Sequence, residues 1–189
     1  MRSPKFSLRF ALVAIGVFSV FAAMLTKQQR IAAQLRQHNV RIEYRYEYDN
    51  WDDLNHYSHN VDAELPSIRR LFGPDLASTI VSVSARNAED PSAIAELASQ
   101  LPHLRRVAIQ DAPLTDHDLE RFVGMRKLRV LHLRGTALTD SSIQTLGQMT
   151  QLGVLNLQNT ILSDNAIDAL RDALPNTRIH TGATSGGFM

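Results

Sequence analysis

The chain has 189 residues, 44% of them hydrophobic and 21% charged, which is enough for one domain of ordinary globular composition. Its formal net charge of +1 gives no overall field that favours nucleic acid as a partner. Because it contains no cysteine, disulfides, thiolate metal sites and a cysteine nucleophile are excluded.

The N-terminus combines a basic start with a long apolar run. Three basic residues come before residues 10–25, which carry no charge. With the two residues before it, this run is just long enough to cross a bilayer as a helix. A cleaved signal peptide is the alternative, but such peptides usually have a shorter apolar core and a clearer cleavage site. We expect residues 1–26 to form an uncleaved signal anchor, with residues 8–26 in the membrane.

Residues 27–75 are expected to connect the membrane anchor to a folded domain. The sequence TKQQRIAAQLRQH predicts a polar stalk helix with Ile31 and Leu35 on one face. The sequence VRIEYRYEYD, which starts at Val40, alternates apolar and charged residues and predicts a half-buried strand with a solvated charged face. A polar loop and a short helix that begins at Ser67 follow and complete an N-terminal cap.

Neither nucleic-acid nor metal binding is favoured in this region. Tyrosines next to arginines can stack single-stranded nucleic acid, but Glu43, Glu47 and Asp49 cancel the positive charge. His56 and His59 stand three residues apart near several aspartates, a spacing that can ligate zinc. This motif is unspecific, and no predicted element orients the two rings. Solvated loop histidines are therefore the preferred interpretation, and metal binding by this loop stays open.

A 24-residue repeat occupies the second half of the chain. Each unit joins a strand pattern, L-x-x-L-x-L, to a helix pattern, I/L-x-x-L/F. A weaker unit begins at Ile80, and a partial unit follows at residues 174–181. The apolar positions of the three full units are Leu104, Val107, Ile109, Leu114, Leu119 and Phe122; Leu128, Leu131, Leu133, Leu138, Ile143 and Leu146; and Leu152, Leu155, Leu157, Leu162, Ile167 and Leu170.

The helix of each unit is predicted to begin at a hydroxyl residue followed by an aspartate. These pairs are Thr115-Asp116, Thr139-Asp140 and Ser163-Asp164. Short oxygen-bearing side chains cap helix N-termini, and an aspartate there also meets the positive end of the helix dipole. One unit alone buries almost no apolar surface. Stacked units predict an α/β fold in which parallel strands and short helices share one continuous core.

These units resemble leucine-rich repeats of the 24-residue, strand-plus-helix type, over about residues 76–181. The turn position that such repeats usually fill with Asn or Cys is here Ala112, Thr136 and Thr160. A threonine hydroxyl can bond a buried backbone group, whereas Ala112 cannot, so its unit is expected to be looser. The basic start, membrane segment and Tyr-rich strand also resemble small membrane-anchored leucine-rich repeat proteins of planctomycete-type bacteria. The resemblance implies a short repeat solenoid behind one transmembrane helix, without an assigned enzyme activity.

The sheet of such a solenoid lines its concave face, and the residues between the buried ones point out from that face. One column of these residues is long and polar in every unit. Arginine and glutamine can bind carboxylates, backbone amides or sugars, although an exposed sheet face is polar in any case. The candidate binding site consists of Arg86, Gln110, His132, Arg134, Asn156 and Gln158.

No catalytic constellation is recognisable. His132 lies near Arg134 and Asp111, but a shallow face offers no pocket, and nucleophile-elbow, P-loop and dinucleotide motifs are absent. We expect no enzyme activity, no cofactor and no metal. We expect a single-pass membrane protein whose repeat domain lies outside the cytoplasm and binds an unknown protein partner through the concave face. Residues 182–189 are expected to form a flexible tail.

The alternative function is a structural envelope protein that self-associates through the end of the solenoid. This alternative predicts exposed apolar residues on the last unit, near Leu174 and Ile179.

Overall fold

The computed structural model of the protein describes residue 19 and residues 27–45 and 79–182. The predicted anchor (8–26) lies almost entirely outside the described residues. So do the end of the Tyr-rich strand, the loop with His56 and His59, and nearly all of the tail. Within the described residues, no helix has both the length and the apolar character needed to cross a membrane.

Strands and helices alternate along the described chain, which begins with a helix at residues 27–37 (α1). The strands are β1 Arg41–Tyr44, β2 Ile80–Arg86, β3 Arg106–Gln110, β4 Val130–His132, β5 Val154–Asn156 and β6 Arg178–His180. The later helices are α2 Pro91–Ser99, α3 Asp116–Val123, α4 Ser142–Gly147 and α5 Asp164–Ala173. These strands form one sheet in sequence order, in which β1 is antiparallel to β2 and all other neighbours are parallel.

The pairing register confirms the 24-residue repeat. Val107 pairs with Leu131, Leu131 with Leu155, and Leu155 with Ile179. The last pair also shows that the partial unit continues the sheet, with Ile179 in the inward position. The described chain is therefore an alternating strand–helix solenoid with parallel strands, like that of leucine-rich repeats.

The core lies between the sheet and the helices and runs through all units. Every predicted apolar position of the first full unit is buried, from Leu104 to Phe122. In the later units Ile143 and Leu162 are partly buried against the same cluster. Residues from strands and helices belong to one hydrophobic cluster, because each unit covers the apolar side of its neighbour.

The helix α1 is not the free-standing stalk that its composition suggests. Ile31, Ala32 and Leu35 are buried and belong to the same core cluster as the repeats. Arg36 Nη2 donates a hydrogen bond to the hydroxyl of Tyr44, 2.8 Å away, which joins α1 to β1. The helix and its strand therefore cover the open end of the first unit, and Ile31 and Leu35, which were predicted to share one face of the stalk helix, are part of the core.

The charged face of β1 is also less exposed than the alternation predicts. Arg41 is exposed, but Glu43 is buried, and Arg41 Nε lies 3.3 Å from Glu43 Oε1. Val40 and Tyr44 are buried, as predicted.

Two of the three predicted helix starts are confirmed. Thr115 precedes α3, and Ser163 precedes α5 and accepts a hydrogen bond from the N–H of Ala166. The third start is wrong by two residues, because α4 begins at Ser142. The carboxylate of Asp140 is bound to the next unit and does not cap its own helix.

The turns after the strands share one backbone conformation. Asn87, Asp111, Gly135 and Asn159 occupy the same position of successive units, with φ values of 52°, 50°, 64° and 57°. In the threonine positions of these turns, the hydroxyls of Thr136 and Thr160 each donate to a backbone carbonyl at 2.7 Å, as expected.

Candidate protein-binding surface

The face of the sheet opposite the helices is called the open face; it corresponds to the predicted concave face. Its side chains alternate along each strand with the buried ones, and the parallel register places equivalent positions side by side. Three columns result. They are Ser82, Arg106, Val130 and Val154 at the strand starts; Ser84, Ala108, His132 and Asn156 in the middle; and Arg86, Gln110, Arg134 and Gln158 at the strand ends.

The column at the strand ends, called the polar column, is assembled as predicted. Arg86 pairs with Gln110 in the sheet. Beyond the short strands the backbone continues the same register, since the carbonyls of Arg134 and Gln158 accept hydrogen bonds of 2.8 Å from the preceding units. Arg86 is exposed and the other three side chains are half-buried. The rigid backbone thus presents four long polar side chains along one line.

Three of the four side chains in the column at the strand starts are buried, contrary to the prediction for outward positions. Ser82 is 0% exposed, Val130 2% and Val154 8%. The hydroxyl of Ser82 has no hydrogen-bond partner within the described part of the chain. The accessible part of the open face is therefore the half nearer the strand ends, where the six candidate residues lie.

His132 occupies the middle of the open face in its neutral form. Burial, followed by the nearby charges of Arg106 and His180, lowers the pKa of His132 to about 4. The ring therefore contributes hydrogen bonding but no charge near neutral pH. Its Nε2 atom is buried and has no hydrogen-bond partner among the described residues.

The polar groups of the candidate site are only partly satisfied by one another. Arg86 Nε lies 3.2 Å from a carboxylate oxygen of Asp111, so this aspartate is engaged by Arg86. The backbone N–H of Gln158 donates to the side-chain oxygen of Asn156 at 3.0 Å. Arg134 Nε is buried without a hydrogen-bond partner in the described residues. The arginine donors and the amides suit a ligand that brings carboxylate or carbonyl oxygens.

The geometry does not assemble an acid–base pair around His132. The carboxylate of Asp111 pairs with Arg86, on the preceding strand, and His132 makes no hydrogen bond to a carboxylate in the described residues. Groups of three or more His, Asp or Glu side chains that could hold a metal ion are not found in the described ranges.

Sequence reasoning missed a set of inter-unit contacts made by the aspartates. The carboxylate of Asp116 accepts hydrogen bonds from the N–H (2.9 Å) and the hydroxyl (2.5 Å) of Thr139 in the next unit. Asp140 binds Ser163 in the same way, at 2.8 and 2.7 Å. The recurring hydroxyl–aspartate pair was the available signal. Because successive pairs are one repeat unit apart, the aspartate of one pair could bind the hydroxyl residue of the next pair instead of capping its own helix.

Comparisons with known proteins give only a general likeness. No protein-family model matches the chain, and no curated protein matches it either. Among solved structures, leiomodin-1 actin-binding site 2 is 14% identical, with a TM-score of 0.46, covering 62% of this chain and 81% of the other. The leucine-rich repeat ectodomain of the receptor kinase SOBIR1 from Arabidopsis thaliana is 11% identical, with a TM-score of 0.40, covering 84% and 92%. The repeat architecture rests on this chain's own strand register and shared core.

Proposed function

We propose that this chain is a membrane-anchored interaction module that binds a partner protein through the polar column together with His132 and Asn156. The proposal involves no catalysis, cofactor or metal. Anchoring through residues 8–26 rests on the apolar run at residues 10–25. Placement of the repeats outside the cytoplasm is part of the same proposal. The relation to planctomycete-type proteins rests on the sequence pattern.

The polar column is the observation that carries this proposal. Its backbone is fixed by hydrogen bonds between units, so its side chains are held in line before a partner arrives. A preorganised surface loses less conformational entropy on binding. The half-buried guanidinium of Arg134 and the amides of Gln110 and Gln158 favour a partner segment that presents carboxylates or backbone carbonyls.

The test is affinity capture from native membranes with the full chain as bait. The first variant is Arg134→Ala combined with Gln158→Ala, in the polar column. The matched control is Arg171→Ala, an exposed arginine on α5 that is paired with Asp168 on the helix side. We expect the column variant to lose the captured partner and the control to retain it. Both should unfold within about 0.5 kcal/mol of the unmodified chain, since surface truncations have small effects.

Equal capture by the column variant and the control would contradict the proposal. The polar column would then be an ordinary solvated sheet face.

Self-association through the solenoid end is the alternative function, and one observation favours it. Ile161, in the last full unit, is 83% exposed. The apolar end expected near Leu174 and Ile179 is not present, because Leu174 is only 2% exposed and Ile179 is partly buried against the core. If self-association occurs, Ile161→Asp should abolish concentration-dependent assembly in sedimentation experiments. In that case the polar-column variant should assemble normally.

A further inference from the structure

Strand β6 is the last strand of the described sheet, and β5 is its one neighbour there. The N–H of Arg178 donates to the carbonyl of Gly153, at 2.9 Å. The carbonyl of His180 accepts from the N–H of Leu157, at 2.7 Å. The backbone groups of Arg178 and His180 therefore point towards β5. Because these groups alternate along a strand, the N–H and C=O of Ile179 point away from β5, along a side here called the β6 edge.

The two ends of the described sheet are built differently. At the N-terminal end, β1 has a register shift between Glu43 and Tyr44, and α1 packs on the same end of the core. Such an irregularity twists an edge strand away from further pairing. Strand β6 has a regular register with β5 and contains no proline or lysine. The β6 edge is therefore a regular backbone template on which one further strand can pair.

The sequence around β6 is nearly symmetric about Ile179 and reads Thr-Arg-Ile-His-Thr over residues 177–181. If two copies pair antiparallel about a two-fold axis at Ile179, each Ile179 N–H donates to the Ile179 carbonyl of the other copy. The exposed side chains of Arg178 and His180 then lie opposite each other, twice per dimer. A guanidinium has five donors and a neutral imidazole has one acceptor, so this pair is complementary even though Arg178 also interacts within its own chain.

We propose that the β6 edge pairs with the β6 edge of a second copy of this chain, which joins the two sheets in a two-fold symmetric dimer. Opposite residues of an antiparallel pair point to the same face, so both open faces lie on one side of the joined sheet. Both polar columns stay accessible, and a partner with two binding segments would gain affinity by contacting both. Because a pair of short strands is weak by itself, the dimer forms reversibly at high protein concentration. The inference rests on neither the polar column nor Ile161.

The absence of cysteine allows the pairing register to be tested by cross-linking. Two full-chain variants in detergent micelles, Arg178→Cys and His180→Cys, are oxidised separately and as an equal mixture. Facing Cα atoms of a non-hydrogen-bonded antiparallel pair lie about 4.5 Å apart, which a disulfide can bridge. Identical positions lie diagonally across the two-fold axis, about 7–8 Å apart, which is too far. We expect the mixture to give a several-fold higher yield of disulfide-linked dimer than either variant alone.

The charge at residue 180 should change the dissociation constant of the dimer. His180→Glu places a carboxylate opposite Arg178 of the other copy, twice per dimer, and should tighten the dimer roughly 2- to 30-fold. His180→Lys places like charges opposite each other and should weaken the dimer by a similar factor. Sedimentation equilibrium of the full chain in micelles measures both constants. The matched controls, His117→Glu and His117→Lys at an exposed histidine of α3, should leave the constant unchanged.

Monomeric protein at every concentration would mean that the β6 edge stays unpaired or is covered by residues 183–189, and would overturn the proposal. Equal cross-linking in the mixture and in the separate variants would overturn it as well. Self-association that Ile161→Asp abolishes and His180→Lys leaves intact would assign assembly to the surface of the alternative function instead. Arg134→Ala combined with Gln158→Ala should dimerise like the unmodified chain, which separates this inference from partner capture by the polar column.

Discussion

Gly135 shows how one backbone position constrains every unit of this solenoid. The equivalent residues are Asn87, Asp111 and Asn159, and all four have positive φ. Asparagine and aspartate tolerate the left-handed region better than other residues with a side chain, and glycine has no steric penalty there. At Gly135 space is limiting as well, because a Cβ atom would lie 2.5 Å from Oδ1 of Asp111.

Gly135→Ala should therefore destabilise the fold by about 1–3 kcal/mol, as strained backbone positions do. Gly124→Ala is the control, because Gly124 has a φ of −76° and nothing within 4 Å of its Cβ position. That change should be neutral or stabilise the fold by up to about 1 kcal/mol. Urea unfolding of both variants measures the difference. Equal stability of the two would mean that the turn relaxes freely.

His132 should make the stability of the fold depend on mildly acidic pH. Its folded-state pKa is about 4, below the value of about 6.5 in an unfolded chain. The unfolded state therefore binds the proton more readily than the folded state. The contribution of neutral His132 to the stability of the fold is lost as the pH falls from about 6.5 to about 4. His132→Gln should lose less stability between pH 7 and pH 5 than the unmodified chain, measured by urea unfolding. His117→Gln, at an exposed histidine, should behave like the unmodified chain.

At the scale of elements, the aspartates after the helix starts connect successive units. Asp116 binds Thr139, and Asp140 binds Ser163 through equivalent atoms. The hydrogen bonds from the N–H and hydroxyl of Ser163 lower the pKa of Asp140. In α3 a different carboxylate, Asp118, accepts from the N–H and hydroxyl of Thr115, as in a capping box. Burial raises the pKa of Asp118, but the bonds from Thr115, together with a hydrogen bond from Ser92 and the charge of Arg121, outweigh burial and lower the pKa.

The Asp116–Thr139 contact should appear as a coupling energy. A double-mutant cycle with Asp116→Ala and Thr139→Ala should give about 0.5–1.5 kcal/mol, the range of ordinary side-chain hydrogen bonds. Thr150→Ala, at the opposite edge of the sheet, serves as the control partner for Asp116→Ala. Those two changes should add within about 0.5 kcal/mol. Additivity in the Asp116–Thr139 cycle as well would show that the contact does not stabilise the stack.

At the scale of the whole molecule, one core runs from α1 to the last unit. Solenoids need a cap at each end because a terminal unit would otherwise expose its apolar side. Here α1 and β1 provide the N-terminal cap, and Tyr44 of β1 is buried with its hydroxyl bonded to Arg36 of α1. The helix α1, whose composition predicts a polar stalk, is therefore part of the same folded domain as the repeats.

Leu35→Ala tests this cap. Leu35 is fully buried in the core cluster, so truncation should destabilise the whole domain by about 2–5 kcal/mol. Gln34→Ala, at the exposed neighbouring position, should change stability by less than about 0.5 kcal/mol. Thermal unfolding followed by circular dichroism compares the two. A negligible effect of Leu35→Ala would restore the interpretation of α1 as a separate stalk.

Local patterns determined much of this protein from the sequence by itself. The 24-residue spacing, the alternation within each strand and the hydroxyl residues before α3 and α5 depend on near neighbours. They predicted the parallel sheet, the buried leucines and the common face of the six candidate residues. The column from Arg86 to Gln158 was predictable for the same reason, since side-chain direction follows from strand period and repeat length.

The tertiary structure decided what depends on residues far apart in the chain. It placed α1 in the core, buried Glu43, and moved the carboxylate of Asp140 from its own helix to Ser163. It also buried Ser82 and Val130 at the strand starts, so that the solvent-accessible part of the open face lies nearer the strand ends. The alternation of residues along a strand predicts to which face of the sheet each side chain points. Burial and bonding partners depend on distant elements, whose positions only the folded chain determines.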